Sequence, residues 1–280
     1  MPDLLQPHFQ RFAQRLALHT WTLETTPFAE ILGIARDTGW NAVEIRRSDV
    51  KQCYRAGMSR DEVIRLIRES GMAVAVAGTE YGLLFAEGDE RKRLLAVLDE
   101  TCVIAKAVGC DMIMTATGQA AGSLDTAVAN MRTAADVVAA HGLRIAYEYS
   151  SAHQTMNTLD IAQELHARVA HPAFGLLLDT YHLERSGAGG RGFAGVLAEH
   201  IFAIQYSDVP PTAPPGMLRP TDRLTPGAGS VRWAEVFALL AEKSYQGYLS
   251  YEAPNPLLWA RPAMDAARAD VNATRALLKA

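Results

Sequence analysis

Eight short apolar runs alternate with eight longer stretches of helical periodicity along this 280-residue chain, and that alternation limits the fold more than any other feature. The runs are Leu16–Leu23, Ala42–Arg46, Ala73–Gly78, Met112–Ala116, Arg144–Tyr149, Phe174–Asp179, Ile201–Asp208 and Tyr248–Ala253. Between them lie stretches with helix signals, the clearest being Ser59–Ser70, where Ser59 and Glu62 make a capping box and Gly71 stops the turn. A strand followed by a helix and another strand pairs in parallel through a right-handed crossover. Runs this apolar belong to a sheet covered on both faces. Eight such units in 280 residues predict an α/β fold, a single (β/α)8 TIM barrel. The rival, two open α/β domains, would need a boundary, and no low-complexity linker marks one near the middle. Residues 1–280 are therefore read as one domain, with residues 1–14 as a polar, partly helical lead-in.

The formal net charge of −4 argues against a phosphate-backbone binder, which normally carries a basic face. No run of about 18 apolar residues suggests a membrane span, and the first residues lack the apolar centre of a secretory signal. Cys53, Cys102 and Cys110 form no CxxC pair and read as reduced, buried thiols. A cytoplasmic location is the expectation that follows.

In a barrel of this kind, chemistry collects at the C-terminal ends of the strands. The fifth strand ends on Glu148. The sixth ends on Asp179, with His182 three residues on. The seventh carries Gln205 and then Asp208, and the eighth carries Glu252. A lone strand-end Asp is usually a turn or cap residue, and a lone Glu a surface or salt-bridge residue. Glu148 and Glu252, however, sit inside apolar runs, where an unpaired carboxylate is costly. A cation is the economical partner. Oxygen donors with one imidazole suit Mn2+, Mg2+, Co2+ or Zn2+.

Other residues reach the same rim. His19 and Trp21 end the first strand, and Trp21 offers an apolar wall for a sugar ring, or simple packing at the barrel mouth. Alternation points Glu44 and Arg46 the same way, set to pair with each other, and Arg46 or Arg47 facing inward would suit a carboxylate or phosphate. Glu80, Thr115, Thr117, Gln119 and His153 are weaker candidates. His141, His166, His171 and His200 fall on helices or at strand entrances, where structural or solvent-facing roles are expected.

LLDTYH on the sixth strand, a glutamate closing the fifth, PGAGSVRW after the seventh and GYLSYEA on the eighth together resemble the xylose-isomerase-like barrel superfamily. That group includes sugar-phosphate isomerases and epimerases, inosose and 3-dehydroshikimate dehydratases, and the endonuclease IV branch. The resemblance spans nearly the whole chain and is sharpest from Arg144 to Pro254. It implies that Glu148, Asp179, Gln205 and Glu252 ligate one divalent ion. It also implies that His182, of the D-x-x-H motif, touches substrate or metal, and that Arg223 binds substrate. The seventh-strand position is often His in the epimerase branch. Gln205 there gives a harder, weaker ligand, which favours Mg2+ or Mn2+ over Zn2+ or Co2+.

The chemistry so implied is removal of a proton next to a carbonyl of a small polyhydroxy substrate. The ion acts as Lewis acid and template, and an enediolate develops. In an isomerase or epimerase, Glu148 and Glu252 would ligate the ion and shuttle protons on opposite faces. In a dehydratase, His182 or a carboxylate would take the proton and a β-hydroxyl would leave. A non-enzymatic sugar-binding barrel and a DNA-cleaving enzyme are the remaining classes. The latter needs more histidines than this chain places at the rim, so no nucleic-acid or membrane partner is expected, and self-association is left open. The Pro-rich connection Val209–Gly229 is expected to cover the substrate with Arg223 pointing inward.

Overall fold

The structure, a computed structural model, describes residues 6–212 and 220–279. Among these residues, eight parallel strands close into a barrel in chain order. They are β1 (Leu16–His19), β2 (Ala42–Ile45), β3 (Ala73–Gly78), β4 (Met112–Ala116), β5 (Arg144–Glu148), β6 (Phe174–Asp179), β7 (Ile201–Tyr206) and β8 (Leu249–Tyr251). β1 pairs with β8 through Leu16–Leu249, Ala17–Ser250 and Leu18–Tyr251, which completes the ring. The helices between them are α1 (Gln6–Ala13), α2 (Phe28–Thr38), α3 (Arg47–Arg55), α4 (Arg60–Glu69), α5 (Gly88–Ala107), α6 (Leu124–Ala140), α7 (Leu159–Val169), α8 (Thr180–Arg185), α9 (Trp233–Glu242), α10 (Pro256–Trp259) and α11 (Ala263–Leu277). Nearly every strand residue is buried, as a sheet lined by helices outside and packed inside requires.

Register decides which side chains meet inside. His19 lies beside Glu44 across β1 and β2, Asp179 beside Gln205 across β6 and β7, and Gln205 beside Ser250 across β7 and β8. Side chains two apart share a face of a strand, so Glu252, two beyond Ser250, follows Gln205 inward.

The strand ends differ from the sequence expectation in ways that matter to the site. The first run stops at His19, and Thr20–Leu23 turn into a 3-10 helix whose Trp21 N–H donates to His19 Nδ1 at 3.1 Å. A helix not expected, α3, begins directly after β2. Its Asp49 accepts the Arg46 backbone N–H at 2.8 Å, satisfying one of the orphan donors of a helix start. α8 begins directly on Asp179, whose Oδ1 accepts from Tyr181 N at 3.0 Å. Ser230 does not cap a helix: its hydroxyl donates to Val209 O at 3.1 Å, and α9 starts at Trp233. The lead-in is less detached than its polarity suggests. Phe12 in α1 is buried, and the Phe9 and Phe12 rings lie 6.1 and 6.4 Å from Phe237 of α9. The three cysteines are free and buried, and among the described residues no helix is long and apolar enough to cross a membrane.

Candidate metal centre at the barrel mouth

Four carboxylates, two imidazoles, one amide and one guanidinium are buried at the C-terminal ends of the strands: Glu44, Glu148, Asp179, Glu252, His19, His182, Gln205 and Arg223. The register places them there, and each strand contributes for a local reason. Asp179 combines two roles usually treated as alternatives. Oδ1 caps α8, which leaves Oδ2 to face the barrel axis, 2.6 Å from Nη1 of Arg223. Nη2 of the same guanidinium lies 3.0 Å from Glu252 Oε2, so Arg223 bridges β6 and the end of β8. His182, one turn into α8, sets Nε2 3.6 Å from Glu148 Oε1 and 3.9 Å from Asp179 Oδ2. One donor atom each from Glu148, Asp179 and His182 fit within 4.8 Å of one another.

The tautomers of both histidines follow from their backbone partners. Nδ1 of His182 accepts the Ser151 N–H at 3.2 Å and lies 2.9 Å from the Ser151 hydroxyl. A backbone N–H can only donate, so a neutral His182 carries its proton on Nε2. The same reasoning applies to His19, whose Nδ1 is taken by Trp21 N. Its Nε2 lies 3.4 Å from Glu252 Oε1 and 3.7 Å from Glu44 Oε1. Both rings thus aim an N–H at the carboxylates. Burial holds both neutral. It pulls His182 down to about 4, with Arg223 adding to the effect and Asp179 opposing it. It holds His19 well below its usual range, aided by Arg46 and Arg223.

The carboxylates move the other way. Burial, with the charges of Glu252 and Asp179, pushes Glu44 up to about 8, against the influence of the Ser250 hydroxyl and the hydrogen bond from Gln205. Burial and Asp179 push Glu252 up to about 7, while Arg223 pulls it down. Burial, Glu252 and Asp179 raise Glu148 well above the carboxylate range. For Arg223, burial opposes the charge, but Asp179, Glu252 and Glu148 outweigh it and hold the guanidinium charged. A cluster this anionic and this dry is short of positive charge. Gln205 Oε1 and Glu148 Oε1 are buried and have no hydrogen-bond partner among the described residues. Buried, unsatisfied oxygens among carboxylates at one end of the barrel fit a hard divalent cation.

Several expected residues are placed differently. Glu44 and Arg46 do not pair with each other. Glu44 turns inward and accepts from Gln205 Nε2 at 2.8 Å, whereas Arg46 turns to Asp49 at 3.0 Å, Thr20 at 3.1 Å and Glu24. Arg47 pairs with Glu100 on α5 and lies over the ring of Tyr54, while still lining the cavity at the ends of β1–β3. Asp208 is a structural acceptor: Oδ1 takes the N–H groups of Val209 and Val231, and Oδ2 those of Gly227 and Trp233 Nε1, all within 2.7–3.0 Å. This explains PGAGSVRW, since a Cβ on Gly229 would collide with Asp208 and the Val209 carbonyl. His153 organises its own loop, accepting from Thr155 N and Met156 N on Nδ1. Trp21 lines a neighbouring cavity of about 290 Å3 at the ends of β1–β3, with Arg46, Lys51, Thr79 and Tyr81. A larger cavity, about 560 Å3, opens at the opposite end of the barrel, away from the cluster.

Arg223 reaches inward from the return leg of the long connection, and that leg is fastened residue by residue. Asp222 accepts from Tyr181 Oη at 2.8 Å and Arg185 at 2.9 Å. Leu224 pairs with Asp208, and Thr225 donates to Asp270 at 2.7 Å. The Tyr181 ring lies 4.6 Å from the Arg223 guanidinium. Pro214 and Pro215, expected to stiffen this connection, lie outside the described residues. The sequence reading missed Glu44 as the partner of Gln205 and Ser151 as the residue that sets the His182 tautomer. Alternation in AVEIR placed Glu44 on the inward face but did not point to Gln205, and nothing in the sequence signalled the second.

A family model for the xylose isomerase-like TIM barrel matches residues 32–277. Among curated proteins, a 3-dehydroshikimate dehydratase of Pseudomonas aeruginosa is 29% identical over 236 residues, covering 80% of this chain and 36% of that protein. An inosose isomerase of Halalkalibacterium halodurans is 29% identical over 122 residues, 43% of each chain. The matched region thus spans about a third of the dehydratase's length and less than half of the inosose isomerase's. Among solved structures, the IOLI protein with a bound zinc atom superposes with a TM-score of 0.85 at 19% identity, covering 94% of this chain and 98% of that one.

Proposed function

Because the chain belongs to the xylose isomerase-like TIM barrel family, we propose that it is a divalent-metal-dependent enzyme that removes the proton next to the carbonyl of a small polyhydroxy substrate. The observation that carries this reading is the buried set Glu44, Glu148, Asp179 and Glu252, of which only Asp179 and Glu252 pair with a guanidinium, that of Arg223, among the described residues. Glu148, Asp179, Gln205 and Glu252 would hold the ion, with Mg2+ or Mn2+ favoured by a donor set made of oxygens. When bound, the ion supplies a Lewis acid that polarises the carbonyl and lowers the acidity barrier of the neighbouring C–H.

The protein's own groups do the rest. A carboxylate whose proton affinity is raised toward neutrality is well matched to take a carbon-bound proton, which suits Glu252, and Glu148 faces it from β5. The Nε2–H groups of His182 and His19 lie beside these two carboxylates and are donors for substrate oxygens. With Nδ1 committed to Ser151, His182 acts as a hydrogen-bond donor rather than a base. Ligation of an ion through its Nε2 would move the proton to Nδ1, exchanging the 3.2 Å bond from the Ser151 backbone N–H for donation to the Ser151 hydroxyl at 2.9 Å. Arg223 holds substrate oxygens from the fastened leg, and Trp21 forms a wall at the cavity beside it.

Return of the proton by the opposite carboxylate gives isomerisation or epimerisation, for which Glu148 and Glu252 on well-separated strands are the favouring feature. Loss of a β-hydroxyl gives dehydration. That outcome is favoured by the 80% coverage of this chain in the match to a 3-dehydroshikimate dehydratase and by two N–H donors able to assist a leaving hydroxyl. Incubation of Mn2+-loaded protein with ketoses, inososes and 3-dehydroshikimate in deuterated water, followed by NMR, separates them. Deuterium at the carbon next to the carbonyl is expected, with either a carbonyl isomer or an enone product. Absence of exchange with every compound, in protein shown to hold the ion, would leave a sugar-binding module.

A further inference from the structure

We propose that Glu44 is a positioning residue that turns the Gln205 amide oxygen into the metal site. It thereby sets the site's preference for oxygen-seeking ions over zinc. The proposal rests on the reading that the mouth cluster holds a divalent cation.

A glutamine side chain has two ends of opposite hydrogen-bonding character, and either can face a cation or turn away. Only the carbonyl end can ligate. In this structure the choice is made by Glu44, on β2 across the barrel from β7. Gln205 Nε2 donates to Glu44 Oε1 at 2.8 Å, and Gln205 Oε1 is left buried and unpartnered. Glu44 Oε1 also faces Nε2 of His19, at 3.7 Å. That ring's other nitrogen is occupied by Trp21 N. With the carboxyl ionised, as beside a bound cation, reversing the amide would set Gln205 Oε1 against Glu44 Oε1, two acceptors in contact. Both side chains are fully buried, so the orientation is held in a low-dielectric interior where such a clash is costly.

Partners that orient a ligand from behind typically change metal affinity by about 10–100-fold when removed. The Glu44 contact does for an amide what a carboxylate does for a ligating histidine. It also makes the oxygen more negative, since hydrogen bonding at the nitrogen end polarises the amide.

The test is titration of the chelator-treated full chain with Mn2+ and with Zn2+, followed by calorimetry, for the wild type, Glu44→Gln, Glu44→Leu and Gln205→His. Glu44→Gln removes the charge but keeps an acceptor for Gln205 Nε2, and Glu44→Leu removes both at similar volume. The expected result is that Glu44→Leu weakens Mn2+ binding about 10–100-fold more than Glu44→Gln, and that Gln205→His shifts preference toward Zn2+. Equal losses in the two Glu44 variants would reduce Glu44 to a charge effect and overturn the proposal, as would no loss in either. A wild type that binds neither ion would instead overturn the metal reading itself. Melting curves of each variant identify any that fails to fold, and the two Glu44 variants are then compared through Gln205→Leu, which should match Glu44→Leu in its loss of Mn2+.

Discussion

The two ends of this barrel are built from the same strands yet treat charge in opposite ways. At the N-terminal end, Arg144 meets Asp111 at 3.0 Å with both side chains largely in water, 46% and 72% exposed. Lys243 nearby donates to the carbonyls of Ala194 and Val196. Charges there are solvated, matched and dispensable. At the C-terminal end, four carboxylates are taken out of water near the Arg223 guanidinium, and Glu44 Oε2, Glu148 Oε1 and Gln205 Oε1 are left without a hydrogen-bond partner among the described residues. Folding gains nothing from that arrangement, because buried charges cost more than they return unless fully compensated. The contrast separates an end shaped by stability from an end shaped by chemistry, and it can be broken or sharpened by substitution at either.

The largest effect is expected for Glu252→Ala. Divalent-ion binding should be lost to below detection by calorimetry while the circular dichroism spectrum and cooperative unfolding persist, since the cluster loses repulsion together with a ligand. An unfolded variant would mean that Glu252 serves the fold. Arg223→Leu comes next. Removing one partner of a buried pair leaves uncompensated charge and should cost about 3–5 kcal/mol in urea unfolding of the ion-free protein. Saturating Mn2+ should recover part of that loss. A cost below 1 kcal/mol would show that Arg223 is not the counter-charge that Asp179 and Glu252 need in the ion-free fold.

A smaller effect is expected with pH. Glu44 and Glu252 titrate near 8 and 7 in the fold, against an ordinary value of 4.5. Their raised values favour the folded state fully below about 4.5, where both states are protonated. That contribution is lost as pH rises through 7 and 8 and the buried groups are forced to ionise. The melting temperature of ion-free protein should therefore fall between pH 6 and pH 9, and the increment from added Mn2+ should grow over the same range. A flat profile would contradict the cluster's electrostatics. The smallest effect belongs to the other end: Arg144→Leu should change stability by about 0–1 kcal/mol, as an exposed pair does.

Much of this contrast was legible in the residues. Apolar runs at regular intervals predicted the closed barrel, because period-2 and period-3.6 patterns are local properties of sequence. The position of Glu148, Asp179, Gln205 and Glu252 at successive strand ends followed from the same pattern, and the structure brings all four to one mouth. What the residues did not reveal is decided by long-range geometry. Glu44 was paired with Arg46 by strand alternation alone, but a helix starting at Arg47 draws Arg46 to Asp49, and barrel closure brings Glu44 to Gln205. Asp208 looked like a candidate donor until the turn at Gly227–Val231 folded back onto it. The protonation site of His182 depends on Ser151, a loop residue 31 positions away, and no periodicity encodes such a contact.

The central claim is that the mouth carboxylates hold protons and one guanidinium until a divalent ion takes their place. Calorimetric titration of chelator-treated protein with Mn2+ at pH 7, in buffers of different ionisation enthalpy, measures ion stoichiometry and proton release together. One ion per chain with net release of protons is the predicted result, because Glu44 and Glu252 are partly protonated at that pH and must give up protons as the cation binds. Saturable binding without proton release, or no binding at all, would contradict the account.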